Sequence, residues 1–114
     1  MNVPAIQQLS ADFCVAGQLD PAAMAWAAQA GFKSVVNNRP DFEAGPAQPT
    51  NAAIEAAART AGLAYAFLPV QGGYQSPEEI SRFSELLISL PKPVLAFCRS
   101  GARSGRLFRA ATSA

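Results

Sequence analysis

The 114-residue chain contains no histidine. That absence excludes Ser-His-Asp and Cys-His catalysis, a histidine general base and every histidine-ligated metal site. Cysteine is scarce as well: Cys14 and Cys98 are too few for a disulfide framework and too far apart for a zinc site of their own. No apolar run approaches the roughly 20 residues of a membrane helix. The first residues, Met1-Asn2-Val3-Pro4, show no basic segment leading into an apolar stretch, the mark of a secretory signal. We therefore expect a cytoplasmic protein with reduced thiols and no membrane partner. Acidic residues are missing after Glu85, while Lys92, Arg99, Arg103, Arg106 and Arg109 follow it. The first 85 residues carry four basic against eight acidic side chains, so the net charge of +1 hides a positive C-terminal end. A total this small does not indicate a nucleic-acid binder; its distribution indicates a local anion site.

Half of the residues are hydrophobic and 15% are charged, enough apolar surface for one packed core. A chain of this length buries about two-thirds of its unfolded surface and needs no metal or disulfide to fold. We read residues 1–114 as a single domain. Punctuation divides it into alternating strands and helices. Asp12 to Gly17 is a short strand, and Asp20 with Pro21 starts a helix that Gly31 ends. Lys33 to Asn37 is a second strand, followed by a Pro/Gly-rich loop to Pro49. Thr50 caps an alanine-rich helix to Ala61, and Leu63 to Val70 is a third strand. Ser76-Pro77-Glu78-Glu79 is a capping box with proline at the first helical position. The helix it opens carries Ile80, Phe83, Leu86, Leu87 and Leu90 on one face and stops at Pro91. Pro93 to Cys98 is a fourth strand, and a last helix runs from Ser104 to about Thr112. Such alternation predicts an α/β fold: a mainly parallel sheet of four to five strands with helices on both faces. Ligands in such sheets bind beyond the carboxyl ends of the strands, which selects the loops Asn38–Asp41, Gln71–Gln75 and Cys98–Ser104.

Cys98-Arg99-Ser100-Gly101-Ala102-Arg103-Ser104 carries the chemistry. A cysteine between a strand and a helix N-terminus sits where unpaired amides and the helix dipole stabilise an anion. Neighbouring arginines add positive charge, and both effects raise its thiolate fraction. Gly101 lets the backbone curl into a nest of N–H groups around Arg99, Ser100 and Ala102, and Arg103 offers a fork for an oxyanion. Elsewhere the residues leave alternatives open. Asp41 is either an acid or a cap on local amides. Arg39 either faces the bound anion or pairs with Asp41. Asn37 and Asn38 read as turn-formers, and Trp26 and Phe83 as core. Cys14 reads as a buried hydrophobe, or else as a thiol that resolves Cys98. Arg106 and Arg109 either solvate the last helix or attract anions.

The loop resembles two related groups. Cysteine phosphatases place five residues between cysteine and arginine after a strand; rhodanese-type sulfurtransferases commonly place four. Here four residues separate Cys98 from Arg103, and Phe97 stands where most cysteine phosphatases have histidine. Val15-Ala16-Gly17-Gln18-Leu19, Val35 to Asp41, Leu68-Pro69-Val70 and Leu95 to Gly101 together resemble the phosphatase-like domain of the beta-lactamase-hydrolase-like family, over almost the whole chain and in order. That resemblance implies a fold like the dual-specificity phosphatases. It makes Cys98 the nucleophile, Arg103 the oxyanion-binding arginine and Ser104 a hydroxyl within reach of the thiolate. Members occur alone or fused to metallo-β-lactamase-like or disulfide-oxidoreductase domains, which makes such domains candidate partners. Dual-specificity phosphatases place an aspartic acid just after the third strand, where this chain has Gln71-Gly72-Gly73; Asp41 is the nearby substitute. Loss of a general acid costs about 10²–10⁴-fold for a poor leaving group, whereas sulfur transfer needs none. The first reading is therefore a sulfurtransferase acting through a Cys98 persulfide, with a small anionic sulfur donor, a thiol acceptor and no cofactor. The alternative is a phosphatase acting through a phosphocysteine on a small anionic phosphate substrate. A further alternative is a non-catalytic anion-binding module.

Overall fold

Four apolar runs alternate so that successive residues face opposite ways, and both ways lead to a core. The structure, a computed structural model, describes residues 4–113. In chain order its elements are β1 (Ile6–Ser10), β2 (Phe13–Ala16), α1 (Ala22–Gln29), β3 (Ser34–Asn37), α2 (Asn51–Thr60), β4 (Ala64–Phe67), α3 (Pro77–Ser89), β5 (Val94–Phe97) and α4 (Ala102–Thr112). The five strands make one sheet in the order β1-β2-β5-β3-β4. Strands β2, β5, β3 and β4 run parallel, and β1 pairs antiparallel with β2. This is the mainly parallel α/β architecture expected from the sequence.

Side chains alternate across the sheet with a period of two. Cys14, Ala16, Val35, Leu95 and Phe97 meet Met24 and Ala27 of α1 and Ile54 and Ala58 of α2 on one face. Phe13, Val15, Val36, Val94 and Ala96 meet Phe83 of α3 and Leu107 of α4 on the other. Phe83 is fully buried, its ring edge-on to Phe13 at 5.9 Å. Local signals set the helix starts. The Ser76 hydroxyl accepts from the Glu79 amide at 3.1 Å while the Glu79 carboxylate accepts from the Ser76 amide at 2.8 Å. Thr50 accepts from the Ala53 amide, and the Asp20 carboxylate accepts from the Ala23 amide at 3.0 Å.

Three features differ from expectation. The strand read from Leu63 to Val70 is confined to Ala64–Phe67, and Leu68 to Val70 follow it as irregular backbone. Strand β1 was not anticipated: Ile6-Gln7-Gln8-Leu9-Ser10 has only two apolar residues and is largely exposed, and its register with β2 (Ile6 opposite Ala16) supplies what its own sequence does not. Helix α4 begins at Ala102 and not at Ser104, so Arg103 and Ser104 lie in its first turn. Among the described residues no helix is long and apolar enough to cross a membrane.

Strand β5 lies between β2 and β3, so the loop after it is flanked by the loops that follow both neighbours. The Cys98 amide donates to the Ala16 carbonyl at 3.3 Å, the Gln18 amide to the Arg99 carbonyl at 3.2 Å, and the Asn38 amide to the Phe97 carbonyl at 2.8 Å. A Cβ on Gly17 would stand 3.1 Å from the Arg99 carbonyl oxygen, a tight contact that requires the neighbouring backbone to give by a few tenths of an ångström. The backbone is fixed on both sides before any side chain enters the site.

Candidate active site

Cys98 follows the last residue of β5 and is fully buried. The chain turns at Gly101, whose φ of 93° is open to glycine at little cost and whose Cβ position faces the Ala16 carbonyl oxygen at 3.4 Å. That turn points the Gly101 amide at Cys98 Sγ, 3.0 Å away. Burial alone would push the thiol pKa up. Backbone amides of Ser104, Ser100, Arg103 and Gly101 donate to the sulfur and outweigh it, so the pKa falls below its ordinary value. Cys14, buried without such donors, is shifted upward. A thiol with a lowered pKa is a thiolate at lower pH. Alkylation of Cys98 by iodoacetamide, followed by peptide mass against pH, is therefore expected to reach half its limiting rate below the value of about 8.5 that an unperturbed cysteine shows. A midpoint at or above that value would mean that the amides do not govern the sulfur.

Arg103 comes from the first turn of α4 and lies almost buried beside this cradle, 10% of its side chain exposed. Its partner is a residue that the sequence did not single out. The Glu43 carboxylate accepts from Arg103 Nη2 at 2.7 Å, from Arg103 Nη1 at 2.9 Å and from Arg39 Nε at 2.8 Å. Arg103 Nη1 also donates to the Val70 carbonyl at 3.2 Å, and Arg39 Nη1 to Gln18 Oε1 at 3.0 Å. The Arg103 bonds, helped by those of Arg39 and opposed by partial burial, lower the Glu43 pKa from 4.5 to about 2. A carboxylate with a depressed pKa stabilises the fold fully above its unfolded value and loses that contribution as pH falls through the folded one. Wild-type protein is thus expected to lose stability between about pH 4.5 and pH 2 more steeply than Glu43→Gln, measured by urea midpoints across that range. Parallel curves would remove Glu43 from the acid response.

Arg39, Glu43, Ala44, Gly72, Arg99 and Arg103 line a cleft of about 430 Å³ at the carboxyl end of the sheet. Cys98 is not among the lining residues; Arg103, which lines the cleft and interacts with the Cys98 charge, joins it to the loop amides of Ser100, Gly101 and Ser104, while Arg39 and Arg99 line the cleft itself. Ala102 stands exposed at the start of α4. Asp41 is not part of the cluster. Its carboxylate accepts from the Asn51 amide at 2.7 Å, at the start of α2, so it serves as an amide cap and not as the acid beside the loop. Arg39 pairs with Glu43 and not with Asp41. The Ser104 hydroxyl gives its single proton to Asn38 Oδ1 at 2.9 Å; it is the Ser104 amide, and not the hydroxyl, that reaches the sulfur. Asn38 is more than a turn-former. Fully buried, it also donates to the Leu68 carbonyl at 2.9 Å and so ties α4 to the end of β4.

Gln71 is exposed after β4, and Arg106 fastens that loop to α4 through the Gly72 carbonyl and Gln75 Oε1. Cys14 pairs in register with Leu95, three residues short of Cys98. At about 3.3 Å per residue the two cysteines lie about 10 Å apart along the strands, beyond the roughly 7 Å limit for a disulfide. Cys14 cannot resolve Cys98 in this fold. Among the described residues no group of cysteine, aspartate and glutamate could hold a metal ion.

A buried, amide-held cysteine joined by a tight turn to an arginine, at the end of the middle strand of a mainly parallel sheet, defines a domain of the cysteine-phosphatase-like class. Solved structures agree on the fold. A candidate phosphatase from Neisseria meningitidis superposes with a TM-score of 0.82 at 30% identity, covering 95% of this chain and 74% of that one. A candidate phosphatase from Shewanella putrefaciens gives 0.77 at 21% identity, over 93% and 66%. Tk-PTP in its active form gives 0.64 at 17%, over 95% and 80%. Residues 5–114 match the family described as beta-lactamase hydrolase-like protein, phosphatase-like domain, and the chain belongs to that family. Beta-lactamase hydrolase-like proteins of Xylella fastidiosa and Agrobacterium fabrum are 43% and 40% identical to it over 81 and 78 residues, 71% and 68% of this chain. The chain spans about a fifth of the length of these curated relatives, at 19% and 18%.

Proposed function

We propose that this domain is a cysteine-dependent phosphatase. The Cys98 thiolate attacks phosphorus, the S–P bond forms and the ester P–O bond breaks. Water then cleaves the phosphocysteine to inorganic phosphate and free thiolate. The observation that carries this reading is the cradle itself: the Gly101 amide on the sulfur at 3.0 Å, neighbouring loop amides that lower its pKa, and the Arg103 fork beside it, in a family and fold of phosphatase-like proteins. Gln71 cannot donate a proton to a leaving group, and the Glu43 carboxylate is ionised on two arginines. The substrates this site suits are therefore phosphates whose leaving group is stable as an anion, such as aryl phosphates. No cofactor takes part.

Sulfur transfer is the second reading, and the four-residue spacing from Cys98 to Arg103 favours it. In that reaction Cys98 attacks the outer sulfur of thiosulfate or a glutathione persulfide. A new S–S bond forms as the donor's S–S bond breaks, and sulfite or glutathione thiolate leaves without protonation. A thiol acceptor then takes the sulfur; a metallo-β-lactamase-like or disulfide-oxidoreductase domain is the partner this reading invites. Both readings are tested on one sample. Release of phosphate from an aryl phosphate, with no mass gain on incubation with persulfide, supports the phosphatase. A reducible gain of one sulfur on Cys98 without phosphate release replaces it with the transferase, and neither reaction from a demonstrably reduced thiol leaves an anion-binding module.

A further inference from the structure

The proposed reaction needs Arg103 to hold an oxyanion, yet both terminal nitrogens of its guanidinium are already bonded to one carboxylate. Glu43 occupies the fork with the two-oxygen, two-nitrogen geometry that a phosphate or sulfonate oxygen pair would use. Nor is it there by the chance reach of a surface side chain. The turn that presents it is pinned by Gln48, which is nearly buried, donates to the Pro40 carbonyl at 2.8 Å and accepts from the Ala44 amide at 2.9 Å. Phe42, immediately before Glu43, has φ of 61°, a left-handed conformation that bulky residues disfavour, and its ring stays exposed. Strain without compensating burial is kept where the surroundings impose it, and here it accompanies the inward turn of Glu43. Arg39 holds the same carboxylate from a second side. The Glu43 side chain itself remains 30% exposed, so rotation toward solvent can release the fork without moving the turn.

We infer that Glu43 is a specificity residue, an internal anion that holds the Arg103 fork against small free oxyanions and yields it only to a substrate bringing further contacts of its own. An inorganic phosphate or sulfate has only its own oxygens, for the fork and the loop amides, with which to displace the two Glu43 bonds, and it meets the repulsion of the departing carboxylate. A substrate with a body outside the cradle adds binding that the free ion lacks. The thiolate is thereby kept accessible in a cell rich in phosphate, and the inorganic product is released readily.

This inference rests on the proposed reading only in that Arg103 receives an oxyanion, and its test needs no turnover. Cys98 alkylation by iodoacetate, which carries a carboxylate, is compared with alkylation by neutral iodoacetamide, each read by peptide mass so that Cys14 is separated. Glu43→Gln is expected to raise the iodoacetate-to-iodoacetamide ratio about tenfold. The gain should persist in 1 M sodium chloride, where the screening length falls to about 3 Å and through-space repulsion is lost. Added sulfate should also slow alkylation of the variant at concentrations that leave wild type unaffected. Gln48→Ala, which loosens the turn and keeps every charge, is expected to raise the ratio severalfold and serves if Glu43→Gln folds poorly. An unchanged or lower ratio would overturn the inference and leave Glu43 as a brace for Arg103. A gain abolished by salt would also overturn it, reducing Glu43 to a nearby charge.

Discussion

Cys98→Ser is expected to lower turnover of an aryl phosphate or of a persulfide donor by at least about 10⁴-fold, as loss of the nucleophile does where it acts covalently. The size of the effect follows from what surrounds the sulfur. A thiol reaches its reactive anionic form here because the amides of Ser100, Gly101, Arg103 and Ser104 stabilise a negative charge. Those groups are donors only. None can take a proton, and the chain has no histidine to act as a base, so a serine hydroxyl in the same cradle stays neutral and unreactive. The fold should survive, because the oxygen can still accept from the Gly101 amide that now bonds Sγ at 3.0 Å; the urea midpoint should change little. Initial rates and intact mass on wild type and variant check both statements. Retention of more than about 1% of the wild-type rate would place the nucleophile elsewhere and remove the covalent mechanism.

What could be read in the sequence and what could not divides along chain separation. The cradle was legible because strand, cysteine, glycine and arginine are contiguous, and an amide nest needs no distant residue. The capping box at Ser76 and the start at Thr50 were legible for the same reason. Glu43 was not: it meets Arg103 across 60 positions, and only the turn through Phe42 decides which carboxylate of the loop faces inward. Asp41, two positions earlier, stands on the outer side of that turn and caps α2. The Asn38–Ser104 bond spans 66 positions and was likewise invisible to local patterns. Strand β1 escaped because its pairing energy resides in β2's free edge and not in its own polar residues. The α/β order, by contrast, is written in short apolar runs with turn residues between them.

Arg103→Lys is the second large effect, and it separates shape from charge. Lysine keeps the positive charge but offers a single ammonium where arginine has a rigid fork. In wild type the fork bonds Glu43 through Nη1 and Nη2 while Nη1 also reaches the Val70 carbonyl. One ammonium cannot serve a bidentate oxyanion and that carbonyl with the same geometry. Turnover is expected to fall about 10²–10³-fold, the usual cost of losing a fixed donor to a developing oxyanion. Because the two bonds to Glu43 weaken together, the neutral-pH stability should also drop, by about 1–3 kcal/mol. The Glu43 pKa, now near 2 chiefly through Arg103, should move back toward 4.5, so the variant, like Glu43→Gln, should lose stability less steeply than wild type between about pH 4.5 and pH 2. Steady-state rates, urea midpoints at neutral pH and acid titration test the three consequences separately. A loss of rate with unchanged stability would mean that the fork acts on substrate and contributes nothing through Glu43. A loss of stability with an unchanged rate would make Arg103 a brace for the loop alone, and the oxyanion would then have to be held by the amides.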